Sequence, residues 1–285
     1  MSQELIIVDD PVSRVRRLTL NRPEKRNALS DDLRLALFEA LRAADSSPDV
    51  AVIVIRGAGE CFSAGYDLEN WVRPVERHTS KVDGWWPRHV IAGWFEMWDL
   101  ATPIVAEVHG WCLAGGSELA AACDVVYIAD DARVGYPPVR SMSTPDMVWQ
   151  PWLLGMRRGM EALLTGDWIS GKEAAALGFA TRSFPADELE NAVVNVAERV
   201  SKVPADILAL NKRACHRAME AAGIRTGMRA CAELNAIGFH QRSSREFMKS
   251  MRSKGVRDSL SDRDRNFADY REETQSASPA AVRDA

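Results

Sequence analysis

The chemistry this sequence could support starts from a carboxylate beside a glycine turn. The run Ile104 to Val108 has the length and composition of a buried strand. His109 and Gly110 begin a turn, Ala114-Gly115-Gly116-Ser117 follows, and Glu118-Leu-Ala-Ala-Ala-Cys123 suits a helix. Where a strand passes through glycines into a helix, backbone N–H groups point outward without partners. Gly115 and Gly116 let the chain turn sharply and let a ligand approach the backbone. Glu118 sits just inside the helix start, where the dipole favours a carboxylate. On these residues alone, the alternative is a tight turn with a charge-complementing Glu. A second turn has the same build: Cys61-Phe-Ser-Ala-Gly-Tyr-Asp-Leu68 follows the strand-like run Val52 to Ile55. Two such turns could each aim one backbone N–H at a single oxygen, which is how an oxyanion hole is constructed.

These turns need a framework. Leu5 to Val8 and Val15 to Leu20 read as a hairpin turning at Asp9-Asp10-Pro11. Ser30 caps a helix to about Ala44, with Leu33, Leu37 and Leu41 on one face. Strand Val52 to Ile55 completes a strand–helix–strand crossover, the unit of layered α/β folds. Trp71 to Leu100 holds Trp71, Trp85, Trp86, Trp94 and Trp98, with a helix from about His89. It reads first as an aromatic face packed on the core, and second as the wall of an apolar acyl pocket. Val125 to Ala129 is another strand. Helices are expected over Arg158 to Leu164, from Ser170 to Leu177 and over Ala186 to Val203. After Pro204 the chain is largely helix-forming to Phe247. The tail after Tyr270 is polar and rich in small residues, and is expected to be disordered.

Composition sets the outer bounds. A chain of 285 residues, 46% hydrophobic, suffices for one large core and a smaller appended part. A net charge of -4 announces no nucleic-acid surface. Cys61, Cys112, Cys123, Cys215 and Cys231 show no metal or disulfide spacing, and the histidines are scattered; His109 reads as structural. No metal is expected. The start MSQELIIVDD lacks a signal peptide's basic and apolar regions, and no run of about 18 apolar residues exists, so a cytoplasmic location is the default expectation.

The motifs taken together resemble the crotonase superfamily, the enoyl-CoA hydratase/isomerase family. The matching segments are Asn21-Arg-Pro-Glu-Lys-Arg-Asn-Ala-Leu29, Phe62 to Leu68, Pro103 to Asp124 and Leu164 to Ala174, in the family's order. The resemblance implies an α/β fold: a spiral of ββα units over residues 1–204, with a C-terminal helical trimerisation region over 205–270 and a tail over 271–285. It implies an acyl-CoA substrate, coenzyme A being part of that substrate and no separate cofactor being needed. It also implies a homotrimer or a dimer of trimers.

By resemblance, the backbone N–H groups of Tyr66 and Gly115 form the oxyanion hole for a thioester enolate, and Glu118 is the first of two acid–base glutamates. Tyr66 departs from the small residue often found there, so its ring is expected to narrow the pocket. The second glutamate falls at Pro138, which cannot titrate. Asp146 offers a substitute, because dienoyl-CoA isomerases and a CoA-thioester dehalogenase carry a carboxylate at a similar place. Its other reading is a helix cap after Pro145. Lys25 and Arg26 are expected to meet the CoA phosphates. Ala28, Ala64, Gly65, Asp67, Leu68, Leu113 and Pro138 are expected to flank the adenine, pantetheine or acyl group. The activity implied is hydration of a 2-enoyl-CoA. Double-bond isomerisation, thioester hydrolysis or dehalogenation, and non-catalytic acyl-CoA binding are the alternatives.

Overall fold

The computed structural model describes residues 4–71 and 85–267. Two sheets organise them. The larger has six strands, in the order β1 (Ile6–Val12), β2 (Val15–Leu20), β3 (Val52–Gly57), β4 (Ile104–Val108), β6 (Val125–Ala129) and β9 (Arg182–Phe184). Only the β1–β2 pair is antiparallel. The smaller sheet joins β5 (Trp111–Leu113), β7 (Arg133–Gly135) and β8 (Ile169–Ser170).

The expected hairpin forms, with its turn displaced. Strand β1 continues through Pro11, and the chain reverses at Ser13 and Arg14, where Arg14 is left-handed (φ 64°). Pro11 is tolerated because β1 is the edge strand and the register slips between Asp9 and Val12. Helix α1 (Asp31–Asp45) returns the chain from β2 to the parallel strand β3. Ser30 caps it by accepting from Leu33 N at 3.2 Å. Leu33, Leu37 and Leu41 are fully buried, each contributing about 1.5–3 kcal/mol of apolar burial.

Helix α2 (Trp85–Asp99) precedes β4, and Trp94 and Trp98 on it are core residues. The side chains of Trp71, Trp85 and Trp86 lie outside the described part. Helix α3 (Gly115–Ala122) lies between β5 and β6. Next come α4 (Gln150–Leu153), α5 (Gly155–Thr165) and α6 (Gly171–Leu177), the last opened by a complete capping box at Ser170 and Glu173. Helix α7 (Leu189–Ser201) packs across β3, β4 and β6.

Four helices end the described chain: α8 (Ala205–Ala221), α9 (Ile224–Phe239), α10 (Arg242–Lys254) and α11 (Val256–Asp264). Helix α8 is pinned by Lys212, whose buried ammonium meets Met97 O (2.8 Å), Thr102 O (3.0 Å) and Asp124 (2.9 Å). All three of its donors are thus used, which a buried ammonium requires. The tail expected after Tyr270 lies outside the described residues.

Candidate active site

Two loops stitched together build the site. Leu113 N donates to Ser63 O (3.0 Å), Ser63 N donates to Trp111 O (3.1 Å), and Ala114 N donates to Gly135 O (2.9 Å). The Gly65–Tyr66 turn is thereby pressed onto the Leu113–Gly115 turn. A Cβ on Gly65 would lie 2.7 Å from Ala114 Cβ and 3.1 Å from Gly115 N, and Gly65 has φ +99°, so only glycine fits there. The segment before α1 clamps this turn. Buried Asn27 donates from its side-chain amide to Ala58 O (2.9 Å) and Cys61 O (2.8 Å), while its backbone carbonyl accepts from Ser63 Oγ (2.8 Å).

Gly115 opens α3, and its N–H finds no acceptor among the described residues. Ala114, just before it, is held at φ 49°, ψ −123°, a conformation costly for any residue with a Cβ. Such strain at a helix start is typical of a site whose surroundings over-determine the backbone.

Glu118 is 0% exposed. One carboxylate oxygen accepts from Tyr66 O–H at 2.5 Å and from Trp94 Nε1 at 3.4 Å. The other accepts from Met147 N at 3.1 Å. The Asp146 amide and the Tyr136 hydroxyl also meet this carboxylate. Burial pushes its pKa up to about 7; the hydrogen bonds pull the other way but do not cancel it. Burial, followed by the two nearby carboxylates, likewise drives the Tyr66 and Tyr136 phenols well above their ordinary range. At neutral pH both are therefore neutral hydroxyls.

Asp146 sits in the loop before α4 and is 3% exposed. It does not cap that helix, whose N-cap is Trp149. The loop is held at both ends. Asn235 of α9 reaches Thr144 O (2.5 Å), Ser143 Oγ donates to Asn235 O (2.8 Å), and Trp149 Nε1 meets Ser117 Oγ (3.2 Å).

A cavity of about 160 Å³ runs past this cluster. Tyr66, Tyr136 and Asp146 line it; Glu118 lies behind them. Of the residues expected to touch substrate, Arg26, Ala64, Leu68, Leu113 and Pro138 line it as well. Lys25, Ala28, Gly65 and Asp67 do not. Lys25 pairs with Glu69 at 2.7 Å on the surface, and Asp67 pairs with Arg22 at 3.0 Å. Arg22 Nη1 also holds Ala28 O at 2.6 Å, so these residues brace the turn. None of the described tryptophan side chains lines the cavity, and the core reading of Trp94 and Trp98 holds. His109 bonds to Gly59 O (3.0 Å), as a structural histidine does.

The opposite wall comes from the far end of the chain: Asn235 and Phe239 of α9, Leu260 and Asp264 of α11, and neighbouring Arg263. Asp264 is buried between Arg140 (3.0 Å) and Arg263 (2.6 Å). The sequence reading missed this wall and the two phenol groups on Glu118. Tyr66, as the departure from a small residue, was the one signal that pointed to them.

Residues 12–258 match the family model described as enoyl-CoA hydratase/isomerase. The chain belongs to that family. A probable enoyl-CoA hydratase of Mycobacterium bovis is 32% identical over 223 residues, covering 77% of this chain and 84% of that protein. A putative enoyl-CoA hydratase of Thermus thermophilus is 33% identical, covering 76% and 86%. Among solved structures, an enoyl-CoA hydratase from Mycobacterium smegmatis superposes with TM-score 0.86 at 31% identity, covering 94% of this chain and 96% of that one. The α/β architecture described above is accordingly the crotonase fold, and the protein is an enzyme of the enoyl-CoA hydratase/isomerase family.

Proposed function

We propose that the enzyme adds water across the double bond of a 2-enoyl-CoA, with coenzyme A carried by the substrate and no separate cofactor. The observation that carries this reading is the buried Glu118 carboxyl, raised to about 7 and set behind a cavity that Asp146 lines. Two carboxylates in different surroundings divide acid and base work between them. In this reading Asp146 takes a proton from the attacking water and Glu118 is the source of the proton for the α-carbon.

Charge that builds on the thioester oxygen is received by the Tyr66 and Gly115 amides. The Gly115 amide opening a helix, and the close approach of the Gly65 turn to it, support that assignment. One such donor is worth about 10²–10³ in rate. Leu68, Leu113 and Met142 give the cavity an apolar lining suited to an acyl chain, and Arg26 and Arg263 suit the phosphates of coenzyme A.

A panel of 2-enoyl-CoAs of graded length tests this, with loss of the conjugated thioester absorbance as the readout and product mass as the check. Gain of one water supports hydration. Pro138 in the cavity wall favours a second reading, double-bond isomerisation with one acid–base group. A rearranged product of unchanged mass would establish that reading instead. Free coenzyme A would indicate thioester hydrolysis, and tight binding without turnover a non-catalytic acyl-CoA-binding protein.

We also read 205–270 as an oligomerisation region forming a homotrimer or a dimer of trimers. Exposed Leu210 on α8, with Leu234 and Ile237 on α9, supports it. A light-scattering mass equal to one chain of 31.6 kDa would end that reading.

A further inference from the structure

We propose that the Tyr66 hydroxyl is the acid–base group that meets the substrate, relaying a proton between Glu118 and the substrate's α-carbon. This rests on the hydration reading and deepens it. Glu118 has no exposed surface, whereas Tyr66 is half-buried and lines the cavity. The carboxylate therefore reaches the cavity through whatever covers it. The Tyr66 hydroxyl covers it, within hydrogen-bond reach of the carboxylate, as a proton relay requires.

The ring is not free to swing aside. A Cβ on Gly115 would lie 2.7 Å from the Tyr66 Cε2 and Cζ atoms, so the ring rests on the glycine backbone. The buried Arg34 guanidinium sits 5.9 Å from the ring centroid. On the other side of the bond, Met147 N–H fixes the second carboxylate oxygen. Tyr136 also meets Glu118, but it is 5% exposed and its hydroxyl is engaged by the Asp146 amide as well. Both phenols contact the acid and line the cavity, but Tyr66 is the more exposed of the two and its ring lies against Gly115.

The step balances without a further reactant. Water oxygen bonds to the β-carbon, Asp146 takes the water proton, and the π pair moves toward the thioester carbonyl. When Glu118 is neutral its O–H donates to the Tyr66 oxygen and the Tyr66 hydroxyl hydrogen turns to the substrate; that hydrogen goes to the α-carbon as the Glu118 proton moves to the Tyr66 oxygen. That leaves a Glu118 carboxylate and a neutral Asp146 carboxyl, and solvent returns the proton from Asp146 to Glu118.

Tyr66→Phe tests the relay, because it keeps the ring on Gly115 and removes only the hydroxyl. The expected result is a fall in kcat of about 10²–10³-fold with KM little changed, as for loss of a general acid. The wild-type rate should fall as pH rises through about 7, where Glu118 loses its proton, and that limb should vanish in the variant. A second measurement follows exchange of the α-proton of a saturated acyl-CoA in deuterium oxide by NMR. Wild type should exchange it and Tyr66→Phe should not. Wild-type kcat and pH profile in Tyr66→Phe, or a loss confined to Tyr136→Phe, would overturn the relay while leaving hydration standing. A wild-type enzyme that isomerises but does not hydrate would sink the hydration reading alone, provided exchange still depends on Tyr66. Neither turnover nor exchange in the wild type would overturn both.

Discussion

The Met147 amide donates to Glu118 at 3.1 Å, so the loop that brings Asp146 to the cavity also fixes the other carboxylate. Displacing that loop disturbs both acids together. Variants at either one are therefore expected to couple rather than add.

Glu118→Gln should lower turnover of a 2-enoyl-CoA by at least about 10²-fold while acyl-CoA binding stays largely intact. Gln offers one carbonyl oxygen where the carboxylate offered two. One of the Tyr66 and Met147 donors then faces an N–H₂, at a cost of about 1–3 kcal/mol in stability. Steady-state kinetics, calorimetric titration and denaturant unfolding read the three effects separately.

Stability should also depend on pH through this residue. The folded pKa of Glu118 is about 7 against an ordinary 4.5, so the native state holds its proton more tightly than the unfolded chain. No penalty applies below the unfolded value. The penalty grows as pH rises toward about 7 and then levels off, reaching roughly 3 kcal/mol. Urea unfolding between pH 5 and pH 8 should show wild type losing stability relative to Glu118→Gln. Parallel curves for the two proteins would contradict it.

Asp146→Asn keeps the shape of the loop and removes the base. Hydration should drop strongly, by about 10²-fold or more, while a one-base isomerisation is spared. Full hydratase activity in this variant would mean that Asp146 has only a structural place in the loop.

Gly65→Ala should damage both fold and site. Its Cβ would stand 2.7 Å from Ala114 Cβ and 2.8 Å from Leu113 O, at φ +99°. A loss of about 2 kcal/mol or more is expected from strain and contact. Thermal unfolding beside kcat should show both falling, because the turn that carries Tyr66 must move away from Gly115.

Much of the framework was legible because it rests on local rules. Ser30 before leucines at every fourth position, Leu33, Leu37 and Leu41, announces α1, and the capping box at Ser170 and Glu173 announces α6. Strands β3, β4 and β6 are short apolar runs buried almost throughout, so their length and β-branched composition find them. The small sheet escaped, because β5, β7 and β8 have two or three residues each, too few for a pattern. The first hairpin turn was misplaced because Pro11 looked like a turn residue, yet an edge strand tolerates it.

For the site, the sequence by itself determined the two glycine turns, the single glutamate at the helix start and the proline at 138. Each of these is a matter of residue type at a local position. The tertiary structure decided what they meet. Nothing local says that the Tyr66 hydroxyl ends on Glu118, 52 positions away, or that Asp146 approaches the same cavity while Lys25 turns to Glu69. Nor does it say that Asn235 pins the loop before Asp146 and that α9 and α11 close the far wall. Those contacts depend on side-chain direction and on burial by distant segments. Burial is also what raises Glu118 to about 7, and only the packed chain can exclude water from a carboxylate.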